Sequence, residues 1–439
     1  MIILRPYQQK IASECIRELH HYRSVLIRLG TGGGKTATIA EVIRRKHLQR
    51  PDSYTVFCAP LDSIVEDTHE RIVKAGLQCG IYQAGRKPDP TAHIQVASLQ
   101  TLAKRDAAML PPADMLVLDE AQHAPARSIQ RALNNYRRAR LIGLSATPQR
   151  GDGLPLGDTF QYMVEGPSNA ELVEQGFLVP CELIGPQSDS KALACSPLEA
   201  WQRWTPGRRT IVFCRTVTQA KRHADEFTRA GISAAVLSGQ SPKRARREIR
   251  AKLLDGTVQV LCVANIAREG FDCPCLEVAI FACKCGVIGS WLQMIGRISR
   301  PCEETGKTVC TVIDLAGSWI EMGLRDDPRK WSLTGDAVVS EKIPPIQRCK
   351  ACAAIFPPRK TCPRCGADHV CIERVQRVLS RVDRLAVISD IPQYKRDEMY
   401  LRKLECIAVD RLGLEGAAVQ FWAMKQFRKR HRGPLRRAS

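Results

Sequence analysis

Leu29-Gly30-Thr31-Gly32-Gly33-Gly34-Lys35-Thr36 decides the fold of this 439-residue chain. The run before it, 24–29 (SVLIRL), is short, apolar and rich in strand-forming residues. The run after it, 36–44, sets Ile39, Val42 and Ile43 on one helical face. A glycine-rich turn between a buried strand and a helix is the setting of a phosphate-binding loop. Glycines let backbone N–H groups turn inward on the β- and γ-phosphates of a nucleotide, and the helix N-terminus adds its positive dipole. Lys35 supplies a point charge, and the Thr36 hydroxyl is a ligand for Mg²⁺. The strict pattern has glycine where this chain has Leu29, so the match is to the looser TGxGKT form. A ligand-free flexible turn is the alternative, and the strand, the Lys-Thr pair and the helix together argue against it.

Outward from the loop, nearly continuous apolar runs at 54–59, 93–97, 115–118 and 140–144 read as parallel strands covered on both faces. Helical patterns alternate with them, which makes a doubly wound α/β unit. A second round follows, with strands expected at 210–214, 234–237, 258–263, 278–282 and 309–315. The expected organisation is a first lobe at 1–165, a connecting segment at 166–208 with a helix at 169–175, and a second lobe at 209–335. A cysteine module at 343–371 and a basic segment at 379–439 complete it.

Asp119-Glu120 closes the run at 115–118. A carboxylate pair at the end of a strand suits metal-assisted phosphoryl chemistry: Asp119 to hold Mg²⁺ and Glu120 to polarise the attacking water. Standing alone, such a pair is more often a helix cap or a solvated turn, and its place behind a phosphate loop tips the balance.

At this point the chain resembles the superfamily 2 helicases of the DEAD/DEAH-like kind. Asp119-Glu120-Ala121-Gln122-His123 is a form of their motif II and Ser145-Ala146-Thr147-Pro148 of motif III. Residues 263–272 resemble motif V through Gly270 and Asp272. Gln293-Met294-Ile295-Gly296-Arg297-Ile298-Ser299-Arg300 fits QxxGRxxR, motif VI. Leu4-Arg5-Pro6-Tyr7-Gln8 is similar to the element that recognises adenine. The resemblance covers about residues 1–320 and implies two tandem RecA-like (P-loop NTPase) lobes. It implies that Arg5, Gln8, Gly30, Thr31, Gly32, Gly33, Gly34, Lys35, Thr36, Asp119, Gly270 and Asp272 bind ATP and Mg²⁺. It implies that Arg297 and Arg300 complete the site when the lobes close, and that His123, Ser145, Thr147 and Gln293 couple it to the nucleic-acid groove. Motif Ia (Ala59-Pro60-Leu61-Asp62-Ser63) departs by lacking a basic residue after the proline, and motif V by lacking a threonine near Ala264-Asn265. Within the superfamily the chain looks most like the RadD-type bacterial and phage DNA-repair ATPases. The text for this is Thr147-Pro148-Gln149-Arg150-Gly151-Asp152-Gly153, Leu156-Gly157-Asp158, Gly166-Pro167-Ser168 with Glu171-Leu172, and Gly176-Phe177-Leu178-Val179-Pro180.

Cys349-Lys350-Ala351-Cys352 and Cys362-Pro363-Arg364-Cys365 form two knuckles that can hold Zn²⁺ with four thiolates, a closed and therefore structural site. Cys273, Cys275, Cys283 and Cys285 have CxC spacing and read as core or loop thiols, with a second metal site as the lesser alternative. The 19 cysteines otherwise sit mostly in apolar runs, as buried thiols of a reducing compartment do.

Charge points to the partner. Lys plus Arg is 66 against 45 Asp plus Glu, a net +21, and a chain this basic commonly meets a polyanion. Residues 425–437 carry seven Lys/Arg and no acid beside Trp422 and Phe427. Phosphate contact with base stacking is one reading; an amphipathic helix with a solvated tail is the other. No run approaches a membrane span and the N-terminus lacks a signal-peptide pattern, so the expected setting is the cytoplasm of a bacterial or phage-infected cell, near the nucleoid. The expected function is an ATP-dependent nucleic-acid translocase or helicase acting on DNA in repair, recombination or replication, with single-strand-binding or repair proteins as partners. An RNA helicase and an ATP-gated DNA clamp without unwinding are the alternatives.

Overall fold

The computed structural model describes residues 4–60, 64–149, 155–186, 193–239, 241–264, 273–334, 346–356, 359–368 and 372–375. Gly270 and Asp272 of motif V, residues 61–63 of motif Ia, and the whole segment 379–439 with Trp422 and Phe427 lie outside the described residues.

The apolar runs become two sheets. The first holds β1 (Ser24–Arg28), β2 (Thr55–Ala59), β3 (Gly80–Tyr82), β4 (Ile94–Ser98), β5 (Met115–Leu118), β6 (Arg140–Ser145) and β7 (Tyr162–Glu165) in the order β3-β4-β2-β5-β6-β1-β7. Every pairing is parallel. All residues of β1, β2, β4 and β5 are buried, which is why their sequences run apolar instead of alternating. The helix Lys35–Gln49 covers one face with Ile39, Val42 and Ile43, all at most 1% exposed.

The second sheet holds β8 (Cys181–Ile184), β9 (Thr210–Cys214), β10 (Ala234–Ser238), β11 (Val260–Ala264), β12 (Val278–Phe281) and β13 (Cys310–Asp314), all parallel, in the order β10-β11-β9-β12-β13-β8. Residues 166–208 thus do more than connect. They contribute β8 to this sheet, and the helix Pro197–Trp204 packs Ala200 and Trp201 into its core. Beyond β8 come β14 (Ile346–Cys349), β15 (Ala354–Phe356) and β16 (Ile372–Val375), all antiparallel, extending the sheet as β8-β15-β14-β16. The cysteine module is therefore welded to the edge of the second lobe by backbone hydrogen bonds. A short segment before it returns to the first lobe, where Leu333 O accepts from Leu156 N at 2.9 Å and Gly157 N at 2.8 Å.

Three strands before the cysteine module escaped the sequence reading for a common reason. β3, β7 and β8 have three or four residues each and mixed burial, and they acquire strand geometry only from the neighbour they pair with.

Candidate nucleotide site between the lobes

The parallel order places the carboxyl ends of β1, β6 and β5 side by side, and ligands of such sheets bind at that end. The phosphate loop leaves β1 there and ends in Gly34, whose φ of 84° lies in the left-handed region. Gly34 is the N-cap of the helix Lys35–Gln49 and has no side-chain cap, so the first N–H groups stay available for an anion. Gln8 crosses behind the loop: its Nε2 donates to Gly33 O at 3.1 Å and its Oε1 accepts from Arg5 N at 3.0 Å. Each end of that amide keeps one hydrogen-bonding position, which suits the donor–acceptor edge of adenine. Arg5 lies 4.2 Å over the ring of Phe177, and Tyr7 meets that ring edge-on at 5.4 Å. Phe177 was read only as part of a linking motif, and its spacing from Arg5 in sequence gave no hint of the contact.

At the end of β5, Asp119 Oδ1 accepts the N–H of Glu120 at 2.9 Å. Burial pushes the Asp119 carboxyl up to about 6, the Glu120 charge adds to the rise, and Lys35 opposes it. A desolvated carboxylate beside a second one and a lysine fits a divalent cation. Asp119 and Thr36 would hold Mg²⁺, which when bound supplies charge neutralisation at the phosphates.

Glu120 adopts φ 50°, uncommon for a residue with a Cβ, at the head of the tight turn Ala121–His123. Its Oε2 accepts two amides: Gln122 Nε2 at 2.7 Å from the same lobe, and Gln293 Nε2 at 2.8 Å from the second lobe. Gln122 Oε1 in turn accepts Ser145 Oγ at 2.7 Å, and Ser145 Oγ accepts Thr147 N at 3.2 Å. A continuous path therefore runs Gln293–Glu120–Gln122–Ser145–Thr147. Sequence reasoning named His123, Ser145, Thr147 and Gln293 for this coupling and missed Gln122. The side chain on the path is Gln122, which is buried, whereas His123 is exposed. The signal available was a polar residue set between Ala121 and Ala124, both of which face the core.

The arginines come from the second lobe. Lys35, Thr36, Asp119, Glu120, Gln293, Arg297 and Arg300 line one cleft of about 360 Å³ with Gly30, Gly32 and Gly34 of the loop. Asp67 and Arg71, from the helix Val65–Lys74, line it too, and neither belongs to a motif read from sequence. The approach is close because motif VI has glycine at its centre: a Cβ on Gly296 would come within 2.4 Å of Thr31 Cβ. Any side chain there would hold the lobes apart.

Among the described residues, Cys349, Cys352, Cys362 and Cys365 bring their sulfurs within 4.8 Å of one another. Cys349 and Cys365 Sγ are 3.6 Å apart, Cys352 and Cys362 Sγ 3.5 Å. A tetrahedron with metal–sulfur bonds of about 2.3 Å has edges of about 3.8 Å, so the set fits zinc. Burial raises the Cys352 and Cys362 thiols, whereas the Ala367 backbone pulls Cys365 down to about 7. Cys273, Cys275 and Cys285 are buried in the second lobe core and Cys283 is half-buried, and among the described residues none of them joins such a cluster.

Two family models match the chain in tandem: "Type III restriction enzyme, res subunit" over residues 1–150 and "Helicase conserved C-terminal domain" over residues 195–302. A 51.5 kDa protein of a Lactococcus phage is 24% identical over 302 residues, 63% of this chain and 66% of that one. A putative mitochondrial ATP-dependent helicase, irc3 of Schizosaccharomyces pombe, is 24% identical over 376 residues, 76% of this chain and 61% of that one. The ATP-dependent Type ISP restriction-modification enzyme LlaBIII, solved bound to DNA, shares the fold with a TM-score of 0.57 at 14% identity, over 76% of this chain and 29% of that one. The chain spans less than two thirds of the length of each. Two tandem parallel-sheet lobes with the nucleotide motifs gathered in the cleft between them define a two-lobed P-loop protein. The two models in this order, with the helicase relatives, support a superfamily 2 helicase. No helix among the described residues is long and apolar enough to cross a membrane.

Proposed function

We propose that this protein hydrolyses ATP to drive movement on, or remodelling of, nucleic acid, with DNA as the preferred track. The observation that carries the reading is Glu120 held by an amide from each lobe in a cleft that also contains the phosphate loop and both arginines. Lys35 and the loop amides hold the phosphates, and Arg5, Gln8 and Phe177 hold the base. Both amides bond Glu120 Oε2, which leaves Oε1 to orient the attacking water and take its proton. Arg297 and Arg300 meet the charge on the transferring phosphoryl group with planar, bidentate donors. Because those arginines belong to the other lobe, turnover depends on closure. The path through Gln122 and Ser145 reports the state of Glu120 to the strand ends.

The preference for DNA rests on the basic composition, the zinc-binding module and the DNA-bound relative. The narrower placement beside the RadD-type repair ATPases, the repair role, structural Zn²⁺ on the four cysteines and cytoplasmic residence belong to the same proposal. The test is ATPase activity with single-stranded DNA, forked DNA and duplex RNA, paired with strand displacement on each. Stimulation by DNA with displacement of the fork is the expected result. Preferential stimulation by RNA favours an RNA helicase, stimulation without displacement a clamp, and no stimulation by any polynucleotide defeats the motor reading.

A further inference from the structure

We infer that Lys307 is a positioning residue for the arginine segment Gly296–Arg300. Lys307 sits in the turn just after that segment, where its N–H donates to Cys302 O at 3.1 Å. Its side chain runs inward and the residue is 5% exposed. The ammonium donates to three backbone carbonyls: Pro274, Leu276 at 2.8 Å and Ile298 at 3.1 Å. An ammonium has three N–H groups, so its donors are all used.

Among the described residues no carboxylate pairs with it. Its charged and titratable neighbours are the thiols of Cys310, Cys302 and Cys275 and the guanidinium of Arg300, which repels it. A buried cation without a counter-ion is costly, and three converging carbonyl dipoles are what offsets that cost here. Filling a core position is a poor account of such a residue, because leucine or methionine would do it without the desolvation.

What the three carbonyls have in common is their position. Ile298 lies between Arg297 and Ser299. Pro274 and Leu276 lie on the stretch that leads into β12. Lys307 thus ties the backbone carrying the two arginines to the sheet below. Ser299 O accepts Val179 N at 2.8 Å, holding the same segment from another direction. With Gly296 against Thr31 the segment has no slack, so a small shift of its backbone moves both guanidiniums relative to the phosphate loop.

This inference rests on the ATPase reading above, and its test separates the two. Lys307→Met, Lys307→Arg and wild type are compared in the full chain. For Lys307→Met, kcat falls roughly a hundredfold while KM for ATP stays within about threefold. ADP affinity is retained, and affinity for ADP–aluminium fluoride, which mimics the transferring phosphoryl group, falls in step with kcat. Lys307→Arg, which keeps charge and donors, restores part of kcat. In an Arg297→Ala background, Lys307→Met adds less than its separate effect. An unchanged kcat in a folded Lys307→Met protein overturns the inference, as do equal losses of ADP and ADP–aluminium fluoride affinity, or full additivity with Arg297→Ala. If Lys307→Met does not fold, Lys307→Gln is read by the same measurements. Absence of hydrolysis in wild type refutes the ATPase reading; the ADP–aluminium fluoride comparison still decides the role of Lys307.

Discussion

The two lobes use the same strand–turn–helix unit to opposite ends. In the first, β1 passes through the phosphate loop into the helix Lys35–Gln49, whose N-cap Gly34 offers no side chain to the first N–H groups. In the second, β9 passes through a short turn into the helix Val217–Arg229, where Thr216 is the N-cap and its hydroxyl accepts Gln219 N at 3.1 Å. One helix terminus is left open to a phosphate; the other satisfies itself. Repetition of a fold therefore does not repeat its binding site. The second lobe's contribution comes from farther along its chain, in Gln293, Arg297 and Arg300, which line the cleft with the phosphate loop and, under the proposed function, act on a nucleotide held by the first lobe.

If this division holds, damage to the second lobe spares binding. Arg297→Ala should lower kcat by about a thousandfold or more while ATP still binds, as removal of a transition-state arginine does. Equilibrium binding of a fluorescent ATP analogue beside steady-state turnover checks this, and loss of binding would break the division. Glu120→Gln should lose at least about a hundredfold in kcat with nucleotide and nucleic acid still bound, the scale of a general base. Wild-type turnover in that variant would refute the assignment of the base. Gln122→Ala and Gln293→Ala each free Glu120 from one amide. Each should cost about tenfold in kcat, and their double variant should show less than the product, because they share one carboxylate oxygen. Independent effects would mean that the cross-lobe path is not a unit. The smallest effect is on the self-satisfied side: Thr216→Ala should destabilise the protein by about 1 kcal/mol, read by denaturant unfolding, with KM for ATP unchanged.

The legibility of the site follows the same division. Gly34, Lys35 and Thr36 could be read because a phosphate loop is local: its strand, turn and helix are consecutive, and the glycines are required by backbone conformation. The cysteine knuckles were legible for the same reason, since each turn carries its own pair of ligands. Gln122 and Phe177 were not. Gln122 matters through Ser145 and Gln293, and Phe177 through Arg5, contacts that no local spacing encodes. Short strands such as β8 were missed because four residues, two of them half-buried, carry too little pattern to stand out.

The sequence by itself determined that this protein has two parallel-sheet lobes, an anion-binding turn in the first and a four-cysteine cluster after the second. Those features are written in apolar runs and short spacings, which sterics and hydrogen bonding convert directly into local structure. Only the tertiary structure decided that the cysteine module extends the second sheet, that Glu120 is clasped from both lobes, and that a buried lysine ties down the arginine segment. Each of these pairs groups far apart in the chain or in separate elements. Which partners meet is settled when the whole set of buried surfaces and backbone hydrogen bonds is satisfied at once.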